Sequence, residues 1–278
     1  MTWEPMTLDE FAKFQKASGV KVIKVGDVWW RQVHPFFFRP LFPFAEVAPG
    51  RSRYPLPSRI GGVIHMVPAG APSNSFMNMF VYDQLKDYSL DGVGAKQRNI
   101  IKKALSNFTA KRITDLAEFV DSASPLYISF YSRTKYSYHK ERLQREKFRA
   151  WAKPIFEYDK VVVTGAYRQE KLCAIDISYQ VENVIIDDVF FSDTESQALK
   201  VTDFIVHTLR DYARTSDAGL MFRGFPTGKQ SLDNSKITRG CSIHNMAAFT
   251  KINPVALHLA KALLPEGYQK LLAVTAPL

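Results

Sequence analysis

The sequence predicts an α/β (α+β) chain built on a mixed, mostly antiparallel sheet flanked by helices, and three observations carry that prediction. Residues 161–191 read as three strands joined by the tight links 168–171 and 180–183, the pattern of an antiparallel meander. Ala198, Val201, Thr202, Ile205, Leu209, Tyr212 and Ala213 then fall on one face of a helix, which suits a helix laid on that sheet. A short strand at 220–223, a glycine-bearing turn at 224–228 and a closing strand at 243–251 complete the order.

The remaining elements follow from local signals. Thr7, with Glu10 three residues on, is a capping-box pattern before Phe11, Phe14 and Ala17, and predicts a short first helix. Residues 20–25 and 28–33 flank Gly26-Asp27 and predict a hairpin. Residues 35–57 are crowded with proline and phenylalanine. Proline removes ladder donors, so this stretch is expected to be an irregular or edge segment packed through its rings, with an aromatic binding platform as the alternative. Strands are predicted at 63–67 and 76–82. Asp91 is expected to cap a helix over 93–105. Pro125, after Ser124, predicts a helix running to about Tyr131. Another helix, 139–156, puts Phe148, Trp151, Ala152 and Ile155 on one face. Its other face carries Glu141 with Arg145 and Arg142 with Glu146 at helical spacing, as on a solvated surface. Asn253 followed by Pro254 opens a terminal helix through Leu263.

Composition bounds the partners more than the chemistry. With 46% hydrophobic and 13% aromatic residues, 278 residues supply an ample core. The net charge of +10 favours a polyanionic partner: a nucleotide-bearing donor, RNA or an anionic membrane surface. The plain alternative is a basic chain that is merely soluble. Two cysteines make no disulfide framework, and a reducing cytoplasm is the expected compartment. The first residues carry Glu4, Asp9 and Glu10 and no apolar export signal, and no apolar run is long enough to span a membrane. The histidines show no metal-ligand spacing.

One set of segments carries a resemblance. Tyr88-Ser89-Leu90-Asp91 leads into Lys96-Gln97-Arg98-Asn99-Ile100-Ile101-Lys102-Lys103-Ala104. Then come Val163-Thr164-Gly165-Ala166-Tyr167, Leu172-Cys173-Ala174 and Lys236-Ile237-Thr238-Arg239-Gly240. In that order they resemble the Fem-type, FemAB-like members of the GNAT acyltransferase superfamily, over about 88–261. The resemblance implies two related units, a reduced or divergent one over 1–90 and a better-formed one over 91–278. It also implies transfer of an acyl or aminoacyl group to an amine, from an acyl thioester of coenzyme A or from aminoacyl-tRNA, with no permanently bound cofactor and no metal. The chain departs from the coenzyme-A-dependent pattern at Ser192-Asp193-Thr194-Glu195-Ser196-Gln197-Ala198. No glycine is present there, and two carboxylates oppose a pyrophosphate. That departure favours aminoacyl-tRNA as donor; a coenzyme A enzyme with an unorthodox donor loop is the further alternative.

Acyl transfer to an amine needs a base, a held carbonyl and donors for the developing oxyanion. Asp187 and Asp188 lie in an otherwise apolar strand, and alternation sends them to opposite faces, one to solvent and one to the cleft or core. A carboxylate facing an apolar surface is either paired, here with Arg223 or a lysine, or raised in pKa as a general base is. Arg223 is suited to clamp a carboxylate or phosphate. Tyr212 is a candidate proton-transfer residue, with packing as the alternative. Lys96, Arg98, Lys102 and Lys103, with Lys111 and Arg112 beyond, form the densest cationic segment of the second unit. Lys229, Lys236 and Arg239 complete the candidate donor-binding set. Gly224-Phe225-Pro226-Thr227-Gly228-Lys229-Gln230 is one residue too short for a phosphate-binding loop and ends on Gln. Cys241 and His244 lack an orienting third group. The expected function is an acyl- or aminoacyltransferase acting on an amine. The rival is a non-catalytic protein of the same fold that binds RNA or another polyanion.

Overall fold

Caps and turn residues set most boundaries in the computed structural model, which describes residues 3–50, 53–134 and 139–277. After β1 (Pro5–Met6), helix α1 (Leu8–Ala17) opens on the expected capping box, with Thr7 and Glu10 satisfying each other's backbone N–H groups. The hairpin β2 (Val22–Val25) and β3 (Val28–His34) turns at Gly26, whose φ of 60° is a left-handed value that glycine takes without steric cost. The proline-rich stretch contains one short strand, β4 (Phe37–Pro40), and a 3-10 turn at Leu56–Arg59. Strands β5 (Gly62–Met66) and β6 (Ser75–Tyr82) follow as predicted.

Helix α2 (Ala95–Leu105) begins two residues later than expected, because Gly94 is its N-cap; Asp91 pairs instead with Arg98 at 3.5 Å. Strand β7 (Thr109–Arg112), which alternation did not reveal, leads to α3 (Leu116–Thr134). Pro125 was expected to start a helix and lies inside this one. Phe119, Val120 and Ala123 before it and Leu126 and Tyr127 after it are all buried, and that burial holds the helix through a proline that costs about 3 kcal/mol in a helix interior.

The helix expected over 139–156 is divided. Residues Lys140–Leu143 form a 3-10 turn, Gln144 is extended, and α4 (Arg145–Glu157) starts after it. The two expected pairs are therefore absent: Arg145 pairs with Asp121, Glu141 with His139 at 3.2 Å, and the Arg142 guanidinium lies 4.2 Å over the Trp151 ring. The meander β8 (Val161–Arg168), β9 (Lys171–Val181) and β10 (Val184–Ser192) matches the prediction. Then come α5 (Thr194–Ala198), α6 (Val201–Ala213), β11 (Leu220–Phe222), α7 (Gln230–Thr238), β12 (Ser242–Ile252), α8 (Pro254–Leu263) and α9 (Pro265–Thr275). Helices α7 and α9 carry no strong apolar stripe in sequence and went unpredicted.

The chain divides into two compact units that are not consecutive stretches. The first takes the described part of Met1–Met6, Tyr82–Arg223 and Thr238–Gly240; the second takes Thr7–Val81, Gly224–Ile237 and the described part of Cys241–Leu278. In the first unit the sheet order is β7-β8-β9-β10-β11, antiparallel except for the parallel pair β10/β11. Strand β8 starts opposite Tyr179, and β1 takes its place beside β9 at Gln180 and Val181, in parallel. Phe119, Tyr127, Phe148 and Phe191 pack into one aromatic cluster that fixes α3 and α4 to this sheet; the Phe119 and Phe148 rings stack at 5.5 Å. In the second unit the order is β2-β3-β4-β5-β12-β6, around a core of Trp30, Phe38, Val47 and Val63.

Candidate functional site

The first unit's sheet contains a fork. Strands β10 and β11 pair in parallel at three positions, Val184 with Leu220, Ile185 with Met221 and Ile186 with Phe222. There β11 ends, while β10 runs on to Ser192 paired with β9 alone. Asp187 and Arg223 are the next residues on the two strands, and their side chains form an ion pair at the point of divergence. Both are largely withdrawn from solvent, at 5% and 13% exposure.

Register places more carboxylate chemistry beside that pair. Asp187 stands opposite Ser178 on β9, and after a bulge at Asp188 the partner of Asp176 is Phe190. Paired residues share a face, so Asp176, Ser178 and Asp187 point the same way. The bulge carries Asp188 out to solvent. The expectation for the two adjacent aspartates is met in this form: one exposed, one buried and paired with Arg223. Ser178 is held from below, since the Trp3 indole N–H donates to its hydroxyl oxygen at 3.2 Å.

Asp176 was not singled out by the sequence reading, and it is the most perturbed carboxyl here. It has no exposed surface, and neither of its oxygens makes a hydrogen bond of normal geometry. Burial raises its pKa from 3.8 to about 7; the Arg223 charge and the adjacent Ser178 hydroxyl offset part of the rise, and Asp188 adds to it. The rule applied to Asp187 and Asp188, a carboxylate inside an apolar strand, holds equally for Asp176 between Ile175 and Ile177, so the signal was present in the sequence.

The other candidates fall elsewhere. Tyr212 is half-buried on α6, and burial, with Asp211 beside it, raises its phenol pKa. It is therefore a proton donor at neutral pH and not a base. Arg239 is spent on Asp203, Nε to Oδ1 at 3.0 Å, and Gln97 of α2 donates to the same carboxylate at 2.7 Å. Lys96, Lys102 and Lys103 are exposed on α2, and among the described residues none pairs with a carboxylate. In the second unit, Lys229 pairs with Glu266 at 3.8 Å, and Lys236 lies 4.6 Å over the Phe80 ring while donating to the Phe225 carbonyl at 3.5 Å.

No family model matches the sequence, and no curated protein matches it. Solved structures do. The C-terminal domain of a putative lysylphosphatidylglycerol synthetase from Agrobacterium fabrum superposes with a TM-score of 0.61 at 11% identity, over 91% of this chain and 90% of that one. FemX gives 0.57 at 11% identity, over 91% of this chain and 92% of its own. L-PGS from Bacillus licheniformis gives 0.57 at 10%, over 95% and 97%. The chain has a Fem-like GNAT fold.

Against that fold the loop after β10 is informative. In this chain the N-terminus of α5 is capped from within: Asp193 accepts from the Ser196 N–H at 2.6 Å. Glu195 stands beside it, held by Arg168 at 3.3 Å and Lys171 at 3.7 Å. One backbone donor of that helix start, the Ser196 N–H, is thus taken by the chain's own carboxylate. Among the described residues no helix is long and apolar enough to cross a membrane.

Proposed function

We propose that this Fem-like chain is an acyl- or aminoacyltransferase that acts on an amine, with its chemistry at the β10/β11 fork of the first unit. The observation that carries the reading is Asp176, a buried carboxyl titrating near neutrality directly beside the Asp187–Arg223 pair. In the reaction the amine lone pair attacks the donor carbonyl carbon, a C–N bond forms, and the C–O or C–S bond to the leaving group breaks. The nitrogen must lose a proton; Asp188, the exposed carboxylate, is the one a substrate reaches to give it up, and Asp176, closed off from solvent, acts through the charge it sets behind that group. Once Asp176 ionises, it and Asp187 share the one Arg223 guanidinium, and the surplus negative charge favours an ammonium acceptor over an anionic one.

Asp188 is the exposed member and meets the acceptor. Asp187 orients Arg223, whose guanidinium steadies the developing oxyanion. The self-capped N-terminus of α5 speaks against coenzyme A and supports aminoacyl-tRNA as donor, with Lys96, Arg98, Lys102 and Lys103 meeting its phosphates. A cytoplasmic location follows from that donor. The unit built on Tyr82–Arg223, which holds the fork, is read as the acyltransferase unit, and the unit built on Thr7–Val81 with Gly224–Ile237 and the described part of Cys241–Leu278 as the divergent one.

Incubation with aminoacyl-tRNA, acyl-coenzyme A and a panel of primary amines tests the reading. Amide formation from the charged tRNA, abolished in Asp188→Asn and Asp176→Asn, is the expected result; no product from any donor overturns it. The unpaired lysines of α2 also support the rival, a polyanion-binding protein without turnover. Under the rival, tRNA binding survives Asp188→Asn and is lost on Lys102→Glu with Lys103→Glu.

A further inference from the structure

The second unit carries apolar side chains in an unusual place. No residue of α8 or α9 is buried, although α8 reads Pro-Val-Ala-Leu-His-Leu-Ala-Lys-Ala-Leu. Val255, Leu259 and Leu263 are 68%, 51% and 72% exposed. Their spacing of four residues puts them along one side of the helix. The helix is locally well made, since the Asn253 side chain caps it by accepting from the Val255 N–H at 3.0 Å. Its exposed stripe is therefore a property of a formed element.

A second patch adjoins the first. The Asn253 N–H donates to the Gly61 carbonyl at 2.9 Å, and its side-chain amide to the Arg59 carbonyl at 3.5 Å, so the start of α8 is tied to the end of the 3-10 turn Leu56–Arg59. Leu56 and Ile60 there are 72% and 56% exposed. Scattered single apolar residues need no explanation; five large ones on two tethered elements do.

Charge decides the occupant. From Lys251 to Leu264 the chain has two lysines, one histidine and no carboxylate, and the turn adds Arg59. Among the described residues neither Arg59 nor Lys251 pairs with a carboxylate; Lys261, two positions from both Leu259 and Leu263, is on the opposite side of α8, 6.0 Å from the Tyr268 ring centroid. A second copy seated on this face through a two-fold axis would bring like cations together. In the turn, Arg59 stands three residues from Leu56 and so on the same side of the 3-10 helix, and an apolar surface edged in this way by a cation matches the boundary between acyl chains and phosphate headgroups.

We propose that α8 and the adjoining Leu56–Arg59 turn are a docking surface for an anionic lipid bilayer. Val255, Leu259 and Leu263 enter the headgroup boundary, and Arg59 and Lys251 meet lipid phosphates. The helix lies on the surface and does not cross it. This inference is independent of the transfer chemistry and stands or falls without it.

Co-sedimentation of the full chain with vesicles tests it. Vesicles of phosphatidylcholine mixed in equal parts with phosphatidylglycerol should bind the protein roughly tenfold more tightly than phosphatidylcholine alone. Leu259→Ser with Leu263→Ser should weaken binding to the mixed vesicles roughly tenfold while leaving the thermal unfolding midpoint unchanged, because both side chains are exposed. Arg59→Gln with Lys251→Gln should remove most of the preference for the anionic vesicles. Failure of the wild type to bind the mixed vesicles, or binding of the double serine variant at wild-type strength, overturns the proposal. So does a wild-type dimer in sedimentation equilibrium that the double serine substitution converts to monomer, since that assigns the face to a second copy.

Discussion

Replacing Asp176 by Asn should change how stability depends on pH, and the size of the change follows from its burial. The carboxyl titrates near 3.8 when unfolded and at about 7 when folded. The folded chain therefore binds the proton more tightly, and this group's contribution to stability is fully present below the unfolded pKa and lost as pH rises through the folded value. The full displacement is on the order of 4 kcal/mol. Between about pH 5 and about pH 8.5 it removes roughly 3 kcal/mol of wild-type stability through this one side chain. Asparagine has nearly the same shape and no charge to bury, so Asp176→Asn should lose that part of the slope. Urea unfolding of both proteins across this range measures the difference. The gap between variant and wild type should widen in favour of the variant by roughly 3 kcal/mol as pH rises. A gap that stays constant with pH would refute the argument, because it would mean that Asp176 is ionised, or neutral, throughout.

Three other outcomes are expected. Arg223→Ala leaves Asp187 without its buried partner and should destabilise by about 3–5 kcal/mol, read by denaturant unfolding, whereas combining it with Asp187→Asn should recover part of the loss. Thr7→Ala removes half of the α1 capping box and should cost about 1 kcal/mol in the same assay, with no effect on binding or turnover. Lys102→Glu with Lys103→Glu should weaken tRNA binding and flatten its dependence on salt, measured by filter binding at several ionic strengths; an unchanged salt slope would remove α2 from the contact.

The readable parts of the fold share one property: their cause lies within a few residues. The capping box at Thr7 and Glu10, the glycine turn of the first hairpin, the β8–β10 meander and the Asn253 cap all formed where local chemistry required them. Misreadings arose where distant packing outweighed the local rule. Pro125 sits inside α3 because residues on both sides of it are buried. The charge pairs expected over 141–146 do not exist because Gln144 leaves the helix and Arg142 finds the Trp151 ring.

The candidate site divides along the same line. Asp187 and Asp188 are legible as charges that interrupt an apolar strand, and Asp176 answers the same description; Arg223 is legible as a guanidinium at the end of the short strand 220–223. The ranking among them is not. Strand alternation separates Asp187 from Asp188, but the bulge that exposes Asp188 depends on its pairing with β9.

From the sequence alone came the mixed sheet flanked by helices, the order of its elements and the set of carboxylates and cations from which a transfer site is drawn, because each rests on periodicity, capping or residue type. Only the tertiary structure decided that Asp187 and Arg223 meet where β10 and β11 part, that Asp176 lies without solvent beside them, and that Arg239 is taken up by Asp203. Proton affinity and ion pairing depend on burial and on the distance between charges far apart in the chain, and only folding sets those two quantities.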